Sequence, residues 1–89
     1  MREEPPDRGD GEARRLRWRS RRGMLELELA LAPFVEQRLE RLQTQDKALY
    51  ARLLEHDDRD IFDWIQGRRE PADPDLAAIV AAIRDANAA

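Results

Sequence analysis

A long apolar stripe decides which fold class this sequence can adopt. From Met24 to Leu42, large apolar residues recur every three or four positions, which is the spacing of one face of an α-helix. Leucine and glutamate also alternate here as in a strand, but Met, Leu, Glu and Ala favour helix and no β-branched residue interrupts them. We therefore predict a helix that Pro33 should kink or split, because proline lacks a backbone donor and clashes with the preceding turn. The inward stripe is predicted to be Met24, Leu27, Leu31, Phe34, Val35, Leu39 and Leu42, with Leu25 and Leu29 beside it.

Two further helices are predicted on either side of this one. The segment from Glu12 to Arg22 is basic and has a thin apolar face. Thr44 is placed to cap a helix from about Gln45 to His56, because a threonine oxygen accepts hydrogen bonds from first-turn N–H groups. The inward residues are predicted to be Ala13, Leu16 and Ser20 on the first of these helices and Leu49, Tyr50, Leu53 and Leu54 on the second.

Capping residues delimit the last two helices. Asp57 or Asp58 can cap a short helix that Gly67 ends, since glycine favours the left-handed backbone that follows a helix. Asp73 followed by Pro74 is a typical helix start and predicts a helix that runs almost to the last residue. The inward residues are predicted to be Ile61, Phe62 and Ile65 on the fourth helix and Leu76, Ile79, Val80 and Ile83 on the fifth.

Together these segments predict an all-α fold, a compact bundle of about five short helices. We expect a single domain over residues 12–89 and a disordered tail over residues 1–11, where prolines, glycines and charges dominate. No apolar run approaches the roughly 20 residues that span a bilayer, so we expect a cytoplasmic protein without membrane insertion. The chain has no cysteine and one histidine, His56, which excludes thiol chemistry and leaves little for a histidine-based catalytic site.

Charge is concentrated at two places along the chain. A run of arginines without acids lies in the first helix: Arg14, Arg15, Arg17, Arg19, Arg21 and Arg22. Acids cluster where the third and fourth helices meet: Glu55, Asp57, Asp58, Asp60 and Asp63. The spacing of a calcium-binding loop is missing, and Asp57 and Asp58 stand where a helix must begin, so we expect these two acids to cap and stabilise that helix start. No metal site and no catalytic residue are predicted.

The basic helix leaves three interpretations open. Arg14, Trp18 and Arg22 are spaced i, i+4, i+8 and are predicted to share one helical face, where arginine can stack on the indole ring. Arginine and tryptophan together are typical of protein interfaces and also of nucleic-acid sites. The third interpretation is a solvated helix that folds onto the acidic side of its own domain.

The residues that follow predict a docking platform. Arg22 and Glu26 are spaced for a local ion pair, which contributes only about 0.2–0.5 kcal/mol when exposed. So weak a pair does not explain Gly23, which lowers helix stability at that position. Glycine makes sense where the backbone must turn sharply or where another surface must come close. We therefore predict that Arg22, Gly23 and Glu26 form a small charged platform with Trp18 beside it.

Three separated blocks of this sequence resemble the SdhE-type flavinylation factors. The blocks are RRGMLELELALAPF, RLLEHDDRDIFDWI and ADPDLAAIVAAIR, and the resemblance extends from about Arg15 to Arg84. Members of that family are small bacterial proteins with mitochondrial counterparts, and they assist covalent attachment of FAD to the flavoprotein subunit of succinate dehydrogenase. Their R-G-x-x-E signature is matched by Arg22, Gly23 and Glu26.

Further matches and one departure accompany this signature. Trp18 matches an upstream tryptophan of the family, whereas Glu28 stands where the family commonly has aspartate. The family block D-D-x-D-x-F-x-W is matched by Asp57, Asp58, Asp60, Phe62 and Trp64. The predicted partner-binding residues are Arg14, Trp18, Arg22, Gly23, Glu26 and Glu28.

The resemblance implies an assembly factor with a five-helix fold and no enzymatic activity of its own. Its expected partner is the flavoprotein subunit of succinate dehydrogenase or fumarate reductase. FAD would be carried by that client, and no cofactor is expected to be bound permanently to this chain. No nucleic acid is expected as a partner. The alternative is a nucleic-acid-binding or antitoxin-like regulatory module that uses the basic first helix.

Overall fold

The computed structural model describes residues 10–88, and the regular structure in this range is helical throughout. The α-helices are α1 (Asp10–Arg19), α2 (Leu25–Gln37), α3 (Thr44–Leu53), α4 (Asp58–Gln66) and α5 (Pro74–Ala88). A 3₁₀ turn, Leu39–Arg41, connects α2 to α3. The predicted all-α fold of about five short helices is therefore confirmed. None of the helices in this range is long and apolar enough to cross a membrane.

The first helix differs from its predicted limits at both ends. It begins at Asp10 and ends at Arg19, whereas the sequence pattern predicted Glu12 to Arg22. The prediction of a disordered tail over residues 1–11 is therefore wrong for its last two residues, which are helical. The rest of that predicted tail lies outside the described residues. The early end of α1 leaves residues 20–24 as a non-helical link to α2.

The second helix is shorter than the apolar stripe that predicted it. It ends at Gln37, and Leu39 reaches the core from the 3₁₀ turn instead. Pro33 lies inside α2 without splitting it, so of the two predicted effects the split is wrong and the kink stays a prediction. Phe34 and Val35, directly after the proline, are buried in the core. Their packing holds the helical backbone although proline removes one of its hydrogen bonds.

Capping residues lie at three predicted positions, which are the two ends of α4 and the start of α5. Gly67 follows α4 with a φ of 80°, in the left-handed region, as predicted. Oδ1 of Asp73 accepts a hydrogen bond from the backbone N–H two residues later at 2.8 Å, and α5 begins directly after it. Asp57 occupies the N-cap position of α4 without a side-chain hydrogen bond. The predicted Thr44 cap is wrong, because Thr44 is the first residue of α3 itself. The N-cap position is occupied by Gln43, which has an extended backbone.

The core is built from the predicted inward faces of all five helices. Its largest fully buried side chains are Tyr50, Phe34, Leu27, Leu31, Leu39, Leu53, Ile61, Ile83 and Val80. The rings of Phe34 and Tyr50 pack at a centroid distance of 5.2 Å. Leu49 and Phe62, also predicted to point inward, are half-buried at the edge of this core.

One buried hydrogen-bond chain ties the end of α1 to α3. The Ser20 hydroxyl donates to the Leu16 carbonyl at 2.8 Å, so the Tyr50 hydroxyl donates to Ser20 Oγ, 2.6 Å away. Burial raises the pKa of Tyr50 to about 12, because the phenolate would lose its hydration there. Ser20 was predicted to lie on the inward face of the first helix and is buried, and these two hydrogen bonds satisfy its hydroxyl group.

Candidate partner-binding surface

The link between α1 and α2 holds Arg22 against the start of α4. Nε of Arg22 donates to Oδ1 of Asp58 at 2.8 Å. Its two terminal nitrogens donate to backbone oxygens, at 2.9 Å to Arg19 and at 3.3 Å to His56. The Arg22 side chain is only 16% exposed. Every nitrogen of the guanidinium therefore has a partner inside the molecule, and Arg22 fixes the link in place.

The predicted ion pair between Arg22 and Glu26 is wrong. α1 ends before Arg22 and α2 begins after it, so the two residues do not share a helix. Within residues 10–88, Arg22 pairs with Asp58 and Glu26 forms no ion pair. The carboxylate of Glu26 is consequently available to another molecule.

Gly23 is exposed, and the molecule itself supplies no reason for a glycine at this position. A Cβ atom added to Gly23 would meet nothing within 4 Å. Its φ also lies outside the left-handed region that side chains rarely adopt. The sequence offered two reasons for this glycine, a turn that only glycine can make and the close approach of another surface. The backbone excludes the first reason, which favours the second.

Arg14 and Trp18 lie together on α1, as the sequence predicted. Both line a shallow depression of about 250 Å³, together with Arg17 and Arg21. Trp18 is 66% exposed. The guanidinium carbon of Arg21 lies 5.2 Å from the centre of this ring, within cation–π distance. Arg22 was predicted to share this face and does not, because α1 ends at Arg19.

The two glutamates of the opening stretch lie on different sides of α2. Glu28 lines a cavity of about 240 Å³ next to α1, with Arg17 and Arg21 on its wall. Glu26 lines a larger groove, of about 450 Å³, between α2, α4 and α5. Residues two positions apart on a helix are separated by roughly 200°. Glu26 therefore lies on the side of α2 that faces α4 and α5, whereas Glu28 lies on the side that faces α1.

Sequence reasoning missed two exposed leucines on α2. Leu25 and Leu29 were placed beside the inward stripe, yet they are 64% and 63% exposed. Together with Trp18 they are the large apolar side chains that the described residues expose. The signal was present in the alternation, because residues two apart on a helix point in nearly opposite directions. If Leu27 and Leu31 face the core, then Leu25 and Leu29 must face away from it.

Most acids of the acidic cluster form ion pairs with arginines of the same domain. Asp60 pairs with Arg69 at 2.5 Å, and Asp63 pairs with Arg68 at 3.2 Å. The predicted position of Asp57 and Asp58 at a helix start is confirmed. Ion pairs with arginines act on Asp58, Asp60 and Asp63 in addition to the helix dipole. The ring of His56 packs edge-on against that of Trp64 at 5.2 Å. Residues 10–88 contain no group of three or more His, Cys, Asp or Glu placed to hold a metal ion.

Comparison with known proteins identifies the family. A protein-family model described as "Flavinator of succinate dehydrogenase" matches residues 14–87. The chain belongs to this family. The match runs from the start of the arginine-rich surface on α1 almost to the end of α5, so it includes the link, the groove and both glutamates. The predicted resemblance to SdhE-type flavinylation factors is confirmed.

Individual relatives of the flavinator family cover most of the chain. FAD assembly factor SdhE of Pseudomonas aeruginosa is 47% identical over 74 residues, which are 83% of this chain and 88% of that protein. FAD assembly factor SdhE of Idiomarina loihiensis is 45% identical over 67 residues, 75% of this chain and 74% of its own. The protein of the same name from Pectobacterium atrosepticum is 40% identical over 73 residues, 82% and 83% of the two chains. The family match therefore covers all but the first residues of α1 and the last of α5.

Proposed function

We propose that this flavinator-family protein binds the flavoprotein subunit of succinate dehydrogenase and promotes covalent attachment of FAD to it. The observation that carries the proposal is Gly23, an exposed glycine with open space around it and no internal reason to be glycine. Three residues later in sequence comes Glu26, whose carboxylate forms no ion pair within residues 10–88, and the family of this chain is described by flavinylation of that enzyme. The flavoprotein subunit of fumarate reductase is a second client with the same chemistry.

The platform works as a shaped surface in which each residue has a separate task. Arg22 holds the link against α4 through Asp58 and two backbone oxygens. Gly23 lets the client approach the backbone of this link, because no side chain stands in the way. Glu26 supplies a negative charge that orients a basic group of the client. Arg22, predicted to contact the partner directly, is in this proposal a positioning residue.

The proposed contribution to flavinylation is the selection of one client conformation. The resemblance implies that the covalent bond forms between FAD and a histidine of the client, so this chain needs no nucleophile or base. Holding the acceptor imidazole and the flavin in a reactive arrangement lowers the barrier through proximity and orientation. A helper achieves this when it binds the reactive client conformation more tightly than the others. FAD stays with the client throughout, and this chain acts as an assembly factor rather than an enzyme.

Co-expression with a flavoprotein subunit tests this function. Covalent flavin on the client is read from its fluorescence in a denaturing gel, with and without this protein. We expect the wild type to raise the signal and Gly23→Arg to abolish the increase, because the arginine side chain blocks the approach to the link. Ala48→Arg is the matched control, since it adds the same side chain at an exposed position of α3.

Circular dichroism accompanies the experiment to show that both variants remain helical. Full flavinylation with Gly23→Arg would contradict the role given to the link. Loss of flavinylation with Ala48→Arg alone would place the client on α3 instead. Equal covalent flavin with and without the wild-type protein would refute the proposed function itself.

A further inference from the structure

We infer that the groove beside Glu26 is the apolar half of the client-docking surface. It takes a segment of the flavoprotein subunit in which large apolar side chains stand beside an arginine or lysine. We call it the leucine groove; Leu29, Phe62, Ile65 and Glu26 line it, and the exposed Leu25 lies one helical turn before Leu29. The inference rests on the proposed function and extends it, because Glu26 is the one R-G-x-x-E residue that lines this surface.

The leucines on the outer face of α2 are the first observation. Leu25 and Leu29 are one helical turn apart, so their side chains are neighbours on the surface. With 64% and 63% of their surface exposed, they place a continuous apolar strip in water. The large aliphatic side chains elsewhere in residues 10–88 are buried or packed against the core. A paired exception of this kind marks an interaction site rather than incidental exposure.

The shape beside these leucines is the second observation. A groove of about 450 Å³ runs between α2, α4 and α5, and Leu29 and Ala30 form one of its walls. Phe62 and Ile65 of α4 form the other wall, and Phe62 is only half-buried. The exposed strip and the groove are therefore one apolar surface with room for inserted side chains. Protein partners typically fill such a surface with large apolar anchors.

The charge around the groove indicates which kind of segment it accepts. Glu26 lines the groove and forms no ion pair within residues 10–88. Arg84 lies on the groove as well, but its guanidinium donates to the Trp64 carbonyl at 3.1 Å and to Glu70 at 3.0 Å. The uncompensated charge of the groove is therefore negative. A segment with a basic residue next to its apolar anchors complements it.

Two other occupants fit the groove less well than the client does. Residues 1–9 of the chain contain one large apolar side chain, Met1, which is too little to cover the strip and the groove. A second copy of the chain would form a symmetric interface, and symmetry would bring two unpaired Glu26 carboxylates into it. The client is favoured by a separate observation, because Leu25 and Glu26 come two and three residues after Gly23 and all three residues are exposed. Link and groove can thus contact one partner at the same time.

Binding to the purified flavoprotein subunit, measured by calorimetry, tests the inference. The double variant Leu25→Ala/Leu29→Ala removes the apolar strip and leaves Gly23 and Glu26 in place. We expect its Kd to be about tenfold higher or more, because central apolar anchors dominate interface affinity. The control is Leu42→Ala, which shortens a half-buried leucine on the α3–α5 side of the bundle. Its Kd should stay within about twofold of the wild type.

The outcomes separate the inference from the function on which it rests. If the wild type binds the client and the double leucine variant binds equally well, the groove is not part of the interface and the function stands. If the wild type itself does not bind the client, the proposed function fails. If light scattering shows a wild-type dimer that the double variant dissociates without a change in client affinity, the groove joins two copies and the inference is overturned.

A photoreactive benzophenone side chain at position 29 identifies the segment that occupies the groove. We expect it to cross-link to a client segment that carries large apolar residues and an arginine or lysine. Cross-linking to an acidic or purely polar segment would overturn the inference. The same probe at position 42 serves as the control and should not cross-link to that segment.

Discussion

Nε of Arg22 and Oδ1 of Asp58 lie 2.8 Å apart and join the α1–α2 link to the first turn of α4. The two residues belong to separate family signatures, R-G-x-x-E and the paired aspartates. Their side chains are only 16% and 30% exposed, so water screens this pair less than it screens a surface ion pair. The contact makes the two signatures one structural unit, in which Asp58 fixes the arginine that positions Gly23.

Removal of the Asp58 carboxylate should therefore cost both stability and client binding. We expect Asp58→Ala to lower the free energy of unfolding by about 1–2 kcal/mol, because it leaves a half-buried guanidinium without its charged partner. Glu40→Ala is the matched control, since it breaks the exposed pair with Arg17, whose side chains are 64% and 43% exposed. That variant should lose less than about 1 kcal/mol. Urea unfolding measures both, and equal losses would contradict the special role of Asp58.

Alanine substitution at Gly23 and at Gly67 should change the free energy of unfolding in opposite directions. Gly23→Ala should leave the unfolding free energy unchanged or raise it by up to about 1 kcal/mol, since its backbone accepts a side chain and the added methyl has open space. Gly67→Ala should lower it by about 1 kcal/mol, because Gly67 has a φ of 80°. Client binding should show the reverse order, with Gly23→Ala the weaker binder. Thermal unfolding and calorimetry check the pair; a loss of stability in Gly23→Ala would mean that the link needs glycine for its own folding.

The inward faces of the helices could be predicted because the residues that face the core must be apolar, so their spacing in the sequence follows the helical period. Leu27, Leu31 and Phe34 were placed in the core by spacing alone, and all three are buried. The spacing of apolar residues predicted the ends of the helices less well. The stripe continues past the end of α2, because Leu39 is buried equally well from a 3₁₀ turn. The spacing of apolar residues therefore predicts which side chains are buried, but it does not predict whether an α-helix or a 3₁₀ turn carries them.

The surface was harder to predict than the core, and the reasons differ between residues. Arg22 was assigned to a local contact, but its partner Asp58 is 36 positions away in sequence, beyond any helical spacing rule. The exposure of Leu25 could have been deduced, because a helix that buries Leu27 turns Leu25 outward. Gly23 could be singled out from the sequence, since the cost of glycine near a helix start is evident without the fold, and its role at an interface stays a prediction.

The buried tyrosine should make stability fall at high pH. Tyr50 has a pKa of about 12 in the folded chain, above its ordinary value of 10.0, because burial disfavours the phenolate. Below pH 10 the Tyr50 hydroxyl keeps its proton in both the folded and the unfolded chain, so the contribution of the buried hydroxyl to the free energy of unfolding is fully present there. As the pH rises from 10 towards 12, the unfolded chain loses the proton first, and the free energy of unfolding falls.

Absorbance of the tyrosinate ion measures this directly, since Tyr50 is the only tyrosine of the chain. The titration midpoint should lie near 12 in the folded protein and near 10 in urea. Tyr50→Phe is the control, and the fall in stability over this pH range should be smaller in that variant. Coincident midpoints in the folded and unfolded chains would show that the hydroxyl is not buried as described.

The arginines of α1 should bind nucleic acid only weakly, although their number suggests otherwise. Arg17 pairs with Glu40 at 3.1 Å, and Arg19 donates to the Ala51 carbonyl at 3.1 Å. Arg22 is held by Asp58, so part of the positive charge of this segment is already neutralised inside the domain. Few phosphates can then be contacted, and the slope of log K against log salt should be shallow. Fluorescence anisotropy with labelled single-stranded RNA, across a range of salt, measures this slope. A steep slope that Arg14→Ala reduces would instead favour the nucleic-acid function.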